Sequence, residues 1–282
     1  MKVLVTGSRG MLGSDLVDVL GMKHSVIGVD IDEIDITDRQ AVQDRMAAWS
    51  PDVLINVAAF TDVDGSEKEQ ELAFRVNSDG VENLALVCRA MGIHLIQLST
   101  DYVFDGKKQG AYGEADRPNP LGVYGKSKWE GERKARRALP EVCIVRTAWL
   151  YGMGGRNFVR AILDQAERKT VLRVVQDQKG SPTSTRDLAR ALQAVAEKRL
   201  VGIYHVTNQG FCTWFEFAGK ILELSGKSGV EVVPISTAEL GRPAIRPANS
   251  VLDCMKFQRD TGMILRDWKD ALGSYLLSGR YS

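Results

Sequence analysis

The chain has 282 residues, of which 44% are hydrophobic and 26% charged, the composition of an ordinary globular protein. Its formal net charge of +1 gives no general attraction to nucleic acid or anionic lipid. No apolar run reaches about 18 residues and the start is unlike a signal peptide, so we expect a cytoplasmic protein without a membrane span. Scattered cysteines and histidines predict free thiols and no metal site.

Short apolar runs alternate with amphipathic stretches over the first 150 residues. In chain order, the pattern predicts strands at 2–6, 25–29, 53–57, 94–98 and 142–146, and helices at 11–20, 40–49, 72–91 and 127–138. Strands that alternate with helices form a parallel sheet covered on both faces, and nearly all-apolar strands fit such double burial. We therefore predict an α/β fold with a Rossmann-type doubly wound parallel sheet.

The regular alternation of predicted strands and helices ends after residue 150, at a glycine-rich segment. We predict that residues 1–150 form an NAD(P)-binding Rossmann domain. A helix and a strand within 184–206 are expected to return to its sheet. Residues 151–183 and 207–282 are expected to form a smaller mixed α/β substrate-binding domain, with a ligand cleft between the two units.

The first predicted strand runs directly into a G-x-x-G-x-x-G pattern that opens the first helix. The residues expected to contact a cofactor there are Gly7, Gly10, Met11, Leu12 and Gly13. Glycine permits a tight turn and the close approach of a pyrophosphate, and a helix start offers free N–H groups and the positive end of its dipole. The order of strand, glycines and helix therefore predicts a dinucleotide site.

Two residues give opposite indications about the adenosine ribose of that cofactor. Asp30 ends the second strand, where a carboxylate accepts bonds from ribose hydroxyls and repels a 2′-phosphate, which favours NADH. Arg9, inside the glycine loop, suits the 2′-phosphate of NADPH. We expect NADH or NADPH, with a preference for NADH and use of both left open. Asp35 and Ile36 are expected at a strand end beside the adenine.

Small residues follow the third predicted strand, at the carboxyl edge where such sheets bind ligands. Ala58 and Ala59 are expected to let the cofactor lie against the backbone, with Phe60 next to them. Packing of a helix on the sheet is the alternative explanation for the two alanines.

Polar residues that follow the fourth predicted strand are typical of a group that catalyses reduction of a carbonyl. Tyr124 and Lys128 are four residues apart, which places both on one face of a helix, and Thr100 precedes them. Reduction of a carbonyl needs a hydride at carbon and a proton at oxygen. A nearby ammonium and the positive nicotinamide ring lower a tyrosine pKa from about 10. We predict Tyr124 as proton donor, Lys128 as its support, both in contact with the cofactor, and Thr100 as the group that polarises the carbonyl.

Several motifs resemble those of extended short-chain dehydrogenases that act on nucleotide sugars, and within them the dTDP-4-dehydrorhamnose reductase family. They are the glycine loop, N-V-A-A-F at 56–60, S-T-D-Y-V-F-D-G at 99–106, Y-G-K-S-K at 124–128, R-T-A-W-L-Y-G at 146–152, D-Q-K-G-S-P-T at 177–183 and R-P-A-N-S-V-L-D at 246–253. The resemblance spans nearly the whole chain. The segments at 99–106 and 246–253 are fairly specific to this family.

The resemblance implies an oxidoreductase that reduces the 4-keto group of dTDP-4-dehydro-6-deoxy-L-mannose to dTDP-L-rhamnose, in polysaccharide biosynthesis. It implies contacts to the sugar from Thr100, Asp101 and Trp149. Asn77 resembles an asparagine that completes a proton relay in such folds. Asn249 is expected either to bind the nucleotide or to hold a loop, and Arg246 is a cation suited to a diphosphate.

Other functions remain open because one fold supports several. The alternatives are another nucleotide-sugar reductase or epimerase, and a non-catalytic NAD(P)-binding regulatory subunit. A regulatory subunit has no need of Thr100, Tyr124 and Lys128 at working spacing, so their presence favours an enzyme. We expect a dTDP-sugar as the binding partner, no nucleic acid polymer and no membrane, and a monomer or homodimer.

Overall fold

The computed structural model describes residues 1–278, so the last four residues of the predicted 207–282 segment lie outside the described part. Numbered in chain order, its strands are β1 (Lys2–Thr6), β2 (Ser25–Val29), β3 (Val53–Asn56), β4 (His94–Thr100), β5 (Cys143–Thr147), β6 (Leu150–Tyr151), β7 (Val171–Val175), β8 (Lys179–Gly180), β9 (Thr183–Ser184), β10 (Gly202–His205), β11 (Cys212–Thr213) and β12 (Glu231–Ile235). Its α-helices are α1 (Met11–Gly21), α2 (Arg39–Trp49), α3 (Val63–Ser66), α4 (Gln70–Phe74), α5 (Val81–Met91), α6 (Val123–Ala138), α7 (Phe158–Ala166), α8 (Thr185–Glu197), α9 (Trp214–Leu224), α10 (Thr237–Leu240), α11 (Met255–Thr261) and α12 (Trp268–Leu277).

Six strands form one parallel sheet in the order β10-β5-β4-β3-β1-β2. The chain starts at β1, adds β2 on one side, and then adds β3, β4 and β5 on the other, so the direction of winding reverses at β1. β10, which lies within the predicted 184–206 segment, pairs with β5. Helices α1 and α8 pack on one face, and α2, α5 and α6 on the other. The arrangement confirms the predicted doubly wound α/β fold.

Local sequence explains where the elements of this unit begin and end. The four residues of β3 are all buried, as expected for a strand covered on both faces. α2 begins at Asp38, whose carboxylate accepts hydrogen bonds from the backbone N–H groups of Gln40 and Ala41 at 2.9 and 3.1 Å. α5 ends at Gly92, which has a φ of +67°.

The structure differs from the predicted elements at three places near the cleft. β4 continues beyond residue 98 to Thr100, and α6 starts at Val123, so Tyr124 lies in the first turn of the helix. The single helix predicted over 72–91 is interrupted by a π-helical turn, Arg75–Gly80, between α4 and α5. A π turn holds one more residue than an α turn, and such turns re-aim side chains at functional sites.

The second unit contains α7, α9, α12 and three two-stranded sheets, β7-β12, β8-β11 and β6-β9. Two of these pairs are parallel and β8-β11 is antiparallel, so the unit is mixed. Its core is aromatic, and the buried rings are those of Tyr151, Phe217, Trp268 and Tyr275. Within residues 1–278, no helix has the length and apolar character needed to cross a membrane.

Candidate active site

A cleft of about 700 Å³ lies at the carboxyl ends of the central strands and extends to the second unit. It includes the point beside β1 where the winding of the sheet reverses, which is where open α/β sheets bind ligands. The predicted site residues that line it are Gly7, Gly10, Met11, Leu12, Gly13, Asp30, Asp35, Ile36, Ala58, Ala59, Thr100, Asp101, Tyr124, Lys128 and Trp149. Two predicted residues, Phe60 and Asn249, lie outside this lining.

The glycine loop forms one end of the cleft. Gly7 has a φ of +72°, and a Cβ atom added to it would lie 2.8 Å from the backbone nitrogen of Ala58. A Cβ on Gly13 would overlap the carbonyl oxygen of Gly7. Gly10 precedes α1 without a side-chain cap, which leaves the first N–H groups of the helix available to a ligand. These features fit a dinucleotide pyrophosphate, because it needs a closely approaching backbone and free N–H donors.

Asp30 is held by backbone groups at the end of β2. Its carboxylate accepts hydrogen bonds from the N–H groups of Arg9 at 3.1 Å and Ile31 at 2.9 Å. The Arg9 guanidinium is 2.7 Å from Asp32 and 3.6 Å from Glu33, and its Nε is 3.8 Å from Asp30. Arg9 is therefore already paired with carboxylates, and the ribose end of the cleft carries an excess of negative charge.

Asp35 and Ile36 line the cleft, but the strand end predicted there is wrong. The Asp35 carboxylate accepts hydrogen bonds from the backbone N–H and the hydroxyl of Thr37, both at 2.8 Å. A short acidic side chain that bonds its own backbone two residues on stabilises a turn in place of a strand. Ile36 is buried in the core beside α2 and α5 and gives the cleft an apolar wall.

Asn77, in the π-helical turn, fastens the loop after β3 to α6. Its Oδ1 accepts a hydrogen bond from Phe60 N–H at 2.9 Å. Its Nδ2 donates to the Phe60 carbonyl and to Ser127 Oγ, each at 3.0 Å. The side chain is buried and lies outside the cleft lining. Asn77 and the Phe60 backbone therefore position the loop that carries Ala58 and Ala59, in place of the side-chain proton relay implied by the resemblance.

Tyr124, Lys128 and Thr100 meet at the centre of the cleft. Lys128 lies one turn after Tyr124 on α6, and its Nζ donates to the carbonyl oxygen of Leu98 at 2.8 Å. The Tyr124 ring packs edge-on against Tyr102, with ring centroids 5.8 Å apart. Helix α6 and strand β4 thus bring the phenol of Tyr124, the ammonium of Lys128 and the hydroxyl of Thr100 to the same part of the cleft.

Burial sets the protonation of this group. Burial raises the pKa of Tyr124 to about 12, although a hydrogen bond with Thr100 opposes the shift. Burial lowers the pKa of Lys128 to about 8, although the Glu132 carboxylate opposes the shift. At neutral pH, Tyr124 therefore holds its proton and most of Lys128 is cationic. Such a pair can protonate an oxygen on which negative charge develops.

Asp101 adds a buried carboxylate next to this group. Its Oδ1 accepts a hydrogen bond from the Thr100 hydroxyl at 3.0 Å. Burial raises the pKa of Asp101 to about 6, although hydrogen bonds from the hydroxyls of Ser250 and Thr100 oppose the shift. A carboxylate has more acceptor sites than these bonds fill, so beside a cleft it suits the hydroxyl of a sugar.

The second unit contributes an aromatic wall. The Trp149 ring stacks on Trp214 with ring centroids 3.5 Å apart and an interplanar angle of 5°. Trp149 has a φ of +49°, a conformation that non-glycine residues rarely adopt and that clusters at functional sites. Gly180 packs beneath it, because a Cβ there would overlap the indole. Such a wall suits a sugar ring or a base.

Two residues of the 246–253 motif bond within the protein. Asn249 Nδ2 donates to the carbonyl oxygens of Lys108 and Gly110 at 2.8 and 2.7 Å, so the structure supports the loop-holding alternative. The Arg246 guanidinium donates to both carboxylate oxygens of Asp64, each at 3.0 Å. Asp64 is shared with Arg242 at 3.3 Å, so this cluster keeps a net positive charge, and the suitability of Arg246 for a diphosphate stays a prediction.

Sequence reasoning missed two lining residues of the second unit, Trp214 and Arg156. Trp214 opens α9 and meets Trp149 only through the fold, so no local pattern marks it. Arg156 follows Gly154, whose backbone lies against α1 close enough that a Cβ would be 3.1 Å from Ser14 Oγ. The glycines at 152–155 were a signal that this loop approaches another backbone.

A parallel sheet with a glycine-rich turn after its first strand and a Tyr-x-x-x-Lys pair beside its fourth defines a short-chain dehydrogenase/reductase. A family model described as RmlD substrate binding domain matches residues 1–280, and the chain belongs to this family. It is 44% identical over 277 residues to the dTDP-4-dehydrorhamnose reductase of Streptomyces griseus, covering 95% of this chain and 91% of that protein.

Two solved structures extend this similarity to three dimensions. A dTDP-4-dehydrorhamnose reductase from Clostridium acetobutylicum is 42% identical, with a TM-score of 0.96, covering 99% of this chain and 100% of that one. The dTDP-4-dehydrorhamnose reductase of Bacillus anthracis, in complex with NADP, is 36% identical, with a TM-score of 0.95, covering 98% and 99%. These relatives confirm the family to which the motifs point, and with it an NAD(P)-dependent oxidoreductase.

Proposed function

We propose that the chain reduces the 4-keto group of dTDP-4-dehydro-6-deoxy-L-mannose with NAD(P)H, giving dTDP-L-rhamnose. The observation that carries the proposal is a single cleft with three parts in sequence. The glycine loop lies at one end, Tyr124 and Lys128 lie at the centre, and the stacked pair of Trp149 and Trp214 lies on the side of the second unit. A dinucleotide and a sugar nucleotide would meet at the catalytic group in such a cleft.

The catalytic residues of this proposal act on the ketone oxygen. Bound NAD(P)H supplies the hydride. Thr100 turns its hydroxyl from Asp101 toward the ketone and donates a hydrogen bond to the oxygen as charge develops. Tyr124 then gives its phenolic proton to that oxygen. The Lys128 ammonium stabilises the resulting phenolate.

The second unit and β4 hold the sugar in this proposal. The exposed edges of the stacked Trp149 and Trp214 rings, which both line the cleft, pack against the sugar ring or the thymine base. The Asp101 carboxylate, which lines the cleft, accepts a hydrogen bond from a sugar hydroxyl. Both contacts orient the ketone between Thr100 and Tyr124, which favours attack from one face of the ring.

The charge around Asp30 supports a preference for NADH within NAD(P)H. A 2′-phosphate at the ribose end would meet the carboxylates of Asp30, Asp32 and Glu33, and it would have to compete with them for Arg9. The exposed Arg9 can exchange partners at a small cost, because exposed ion pairs are weak. We therefore propose that NADH binds better and that NADPH is also used.

Two further proposals concern the setting of the reaction. Four buried, unpaired cysteines fit a reducing compartment, so we keep a cytoplasmic location as a prediction. A monomer or a homodimer remains the expected assembly. Sedimentation of the purified chain across a range of concentrations tests the second point.

The first experiment follows absorbance of NADH and NADPH separately with dTDP-4-dehydro-6-deoxy-L-mannose made in situ by upstream enzymes. Rapid oxidation with formation of dTDP-L-rhamnose is the expected result. Oxidation only with other keto-sugar nucleotides would replace this substrate with that of another reductase. Cofactor binding without oxidation of any keto-sugar would favour a regulatory subunit.

A further inference from the structure

A buried polar network lies behind the catalytic pair, at the carboxyl edge of the sheet. Ser99, Arg146 and His205 are side by side on β4, β5 and β10, because Arg146 is in register with both others. Their side chains and that of Glu132 on α6 are between 0 and 4% exposed. A charged group at such depth needs a partner, so each contact of the network bears on its role.

Glu132 is the centre of this network. Arg146 donates to both of its carboxylate oxygens, from Nε at 2.9 Å and from Nη2 at 2.6 Å. Ser99 Oγ donates to Glu132 Oε1 at 2.5 Å. His205 Nε2 lies 3.3 Å from Arg146 Nη1, while its Nδ1 is 3.0 Å from the carbonyl oxygen of Tyr112. Nδ1 therefore carries the proton, and neutral His205 accepts from Arg146.

Glu132 is also one helical turn after Lys128 on α6. Lys128 donates to the carbonyl of Leu98, and the next residue of β4, Ser99, donates to Glu132. The helix is thus fastened to β4 at two successive residues. Side chains four residues apart on a helix are neighbours, and opposite charges in that relation stabilise each other.

We propose that Glu132 is a positioning residue for Lys128: through Ser99 it fixes α6 on β4 beside the Leu98 carbonyl that receives the ammonium, and it stabilises that ammonium electrostatically from one helical turn away. This inference rests on the proposed function, in which the Lys128 cation supports Tyr124. The Glu132 carboxylate raises the pKa of Lys128 against the burial that lowers it to about 8. Arg146 and Ser99 hold that carboxylate with three hydrogen bonds at a buried position.

Other titratable groups lie near Lys128 and Glu132 and could also affect the titration of Lys128. Tyr124 lies on the same helix as Lys128, and Asp101 follows the end of β4 on the cleft side. Arg146 approaches from β5 and His205 from β10, and Glu114 accepts a hydrogen bond from the His205 backbone at 3.0 Å. Burial lowers the pKa of His205 to about 3, so it stays neutral through the range in which Lys128 titrates.

The test is the pH dependence of turnover in Glu132→Gln between pH 6 and pH 9. Loss of the carboxylate lowers the pKa of Lys128, so the cation is lost at a lower pH as the pH rises. We expect the alkaline limb of kcat to move down by about one pH unit, with about a fivefold loss near pH 8, about a tenfold loss near pH 9 and a much smaller loss at pH 6. An equal loss at every pH would mean a merely structural role and would overturn the proposal.

A second readout is independent of the substrate. The Lys128 Cε signal is assigned by NMR with Lys128→Met and titrated in cofactor-free protein. The signal should titrate at lower pH in Glu132→Gln, and an unchanged titration would overturn the proposal. If the parent protein lacks reductase activity, the proposed function fails while this titration still decides the role of Glu132.

Matched variants separate this effect from folding. Glu82→Gln removes a carboxylate that pairs with Lys134 of the same helix at 3.1 Å on the surface, and it should leave the Lys128 titration unchanged. If Glu132→Gln alone fails to fold, because Arg146 is left unpaired, Arg146→Gln is added to remove both charges. A smaller downward shift of the Lys128 titration is expected there, because the Arg146 cation is removed with the carboxylate, and the absence of any downward shift would count against the proposal.

Discussion

The two units that form the cleft place their functional residues in different ways. In the sheet unit, site residues follow directly on strands, as Gly7 follows β1 and Asp30 follows β2. In the second unit, Trp149 meets Trp214 through pairings of short, distant strands such as β8 with β11. In the proposed function, the first arrangement binds the cofactor and supplies the catalytic residues, and the second binds the substrate. We therefore expect changes in the two units to affect different kinetic constants.

Replacement of the proton donor is expected to have the largest effect. Tyr124→Phe should lower kcat by about 10²- to 10⁴-fold, because the phenolic proton is removed while the ring remains. Binding of NADH, measured by fluorescence titration, should persist. Tyr102→Phe is the matched control, since this half-buried ring packs against Tyr124. Normal turnover in Tyr124→Phe would remove the proposed proton donor.

A methyl group added to the glycine loop should weaken binding of the cofactor specifically. In Gly13→Ala, the Cβ would overlap the Gly7 carbonyl, so the turn must move. At about 1–3 kcal/mol for overpacking, the Kd for NADH should rise about tenfold to a hundredfold, as measured by calorimetry. Gly21→Ala, at the end of the same helix, meets nothing within 4 Å and should bind normally. Equal binding in both variants would contradict the assignment of the loop.

The same substitution in the second unit should act on the substrate. In Gly180→Ala, the Cβ would overlap the Trp149 indole, which cannot retreat because it stacks on Trp214. We expect KM for the dTDP-sugar to rise by about tenfold with an unchanged Kd for NADH. Gly219→Ala on α9, where an added Cβ meets nothing within 4 Å, is the control. Loss of NADH binding in Gly180→Ala would break the division between the units.

The smallest effect is expected at the ribose end. Asp30→Ala should weaken NADH by about fivefold, the scale of one net hydrogen bond, and should weaken NADPH less. The ratio of the two Kd values is the measurement. Asp32→Ala removes another carboxylate beside Arg9, but Asp32 lies outside the cleft lining. The ratio of the NADH and NADPH Kd values in this variant therefore shows how much of the effect comes from loss of a negative charge alone. Equal weakening of both cofactors by Asp30→Ala would mean that Asp30 does not read the ribose.

The sequence was sufficient for the sheet and for the residues at its edge. Apolar runs of four or five residues mark β1, β2 and β3, and glycine spacing marks the turn after β1. These signals are local, since a strand end fixes the position of the next few residues. The spacing of Tyr124 and Lys128 is equally local, because one helical turn separates them.

The rest depended on contacts between distant segments. Arg246 was marked only as a cation, and its pairing with Asp64 on α3 joins segments 182 residues apart. The π-helical turn at Arg75–Gly80 has an ordinary helical pattern, and the bonds that Asn77 makes to Phe60 and Ser127 accompany it only in the fold. Which side chains pair across distant segments is decided by tertiary packing, and no periodic pattern in the sequence indicates it.

The position of β10 in the sequence, far after the other five strands of its sheet, limits how this protein can be cut into fragments. The chain forms five strands, passes through the region of the small sheets, and then returns to complete the edge at β5. A fragment ending near residue 150 would therefore expose the hydrogen-bonding edge of β5 and leave Arg146 without His205. Open edges of this kind template aggregation between chains. The nucleotide-binding half is thus a poor candidate for transfer to another protein without the segment that carries β10.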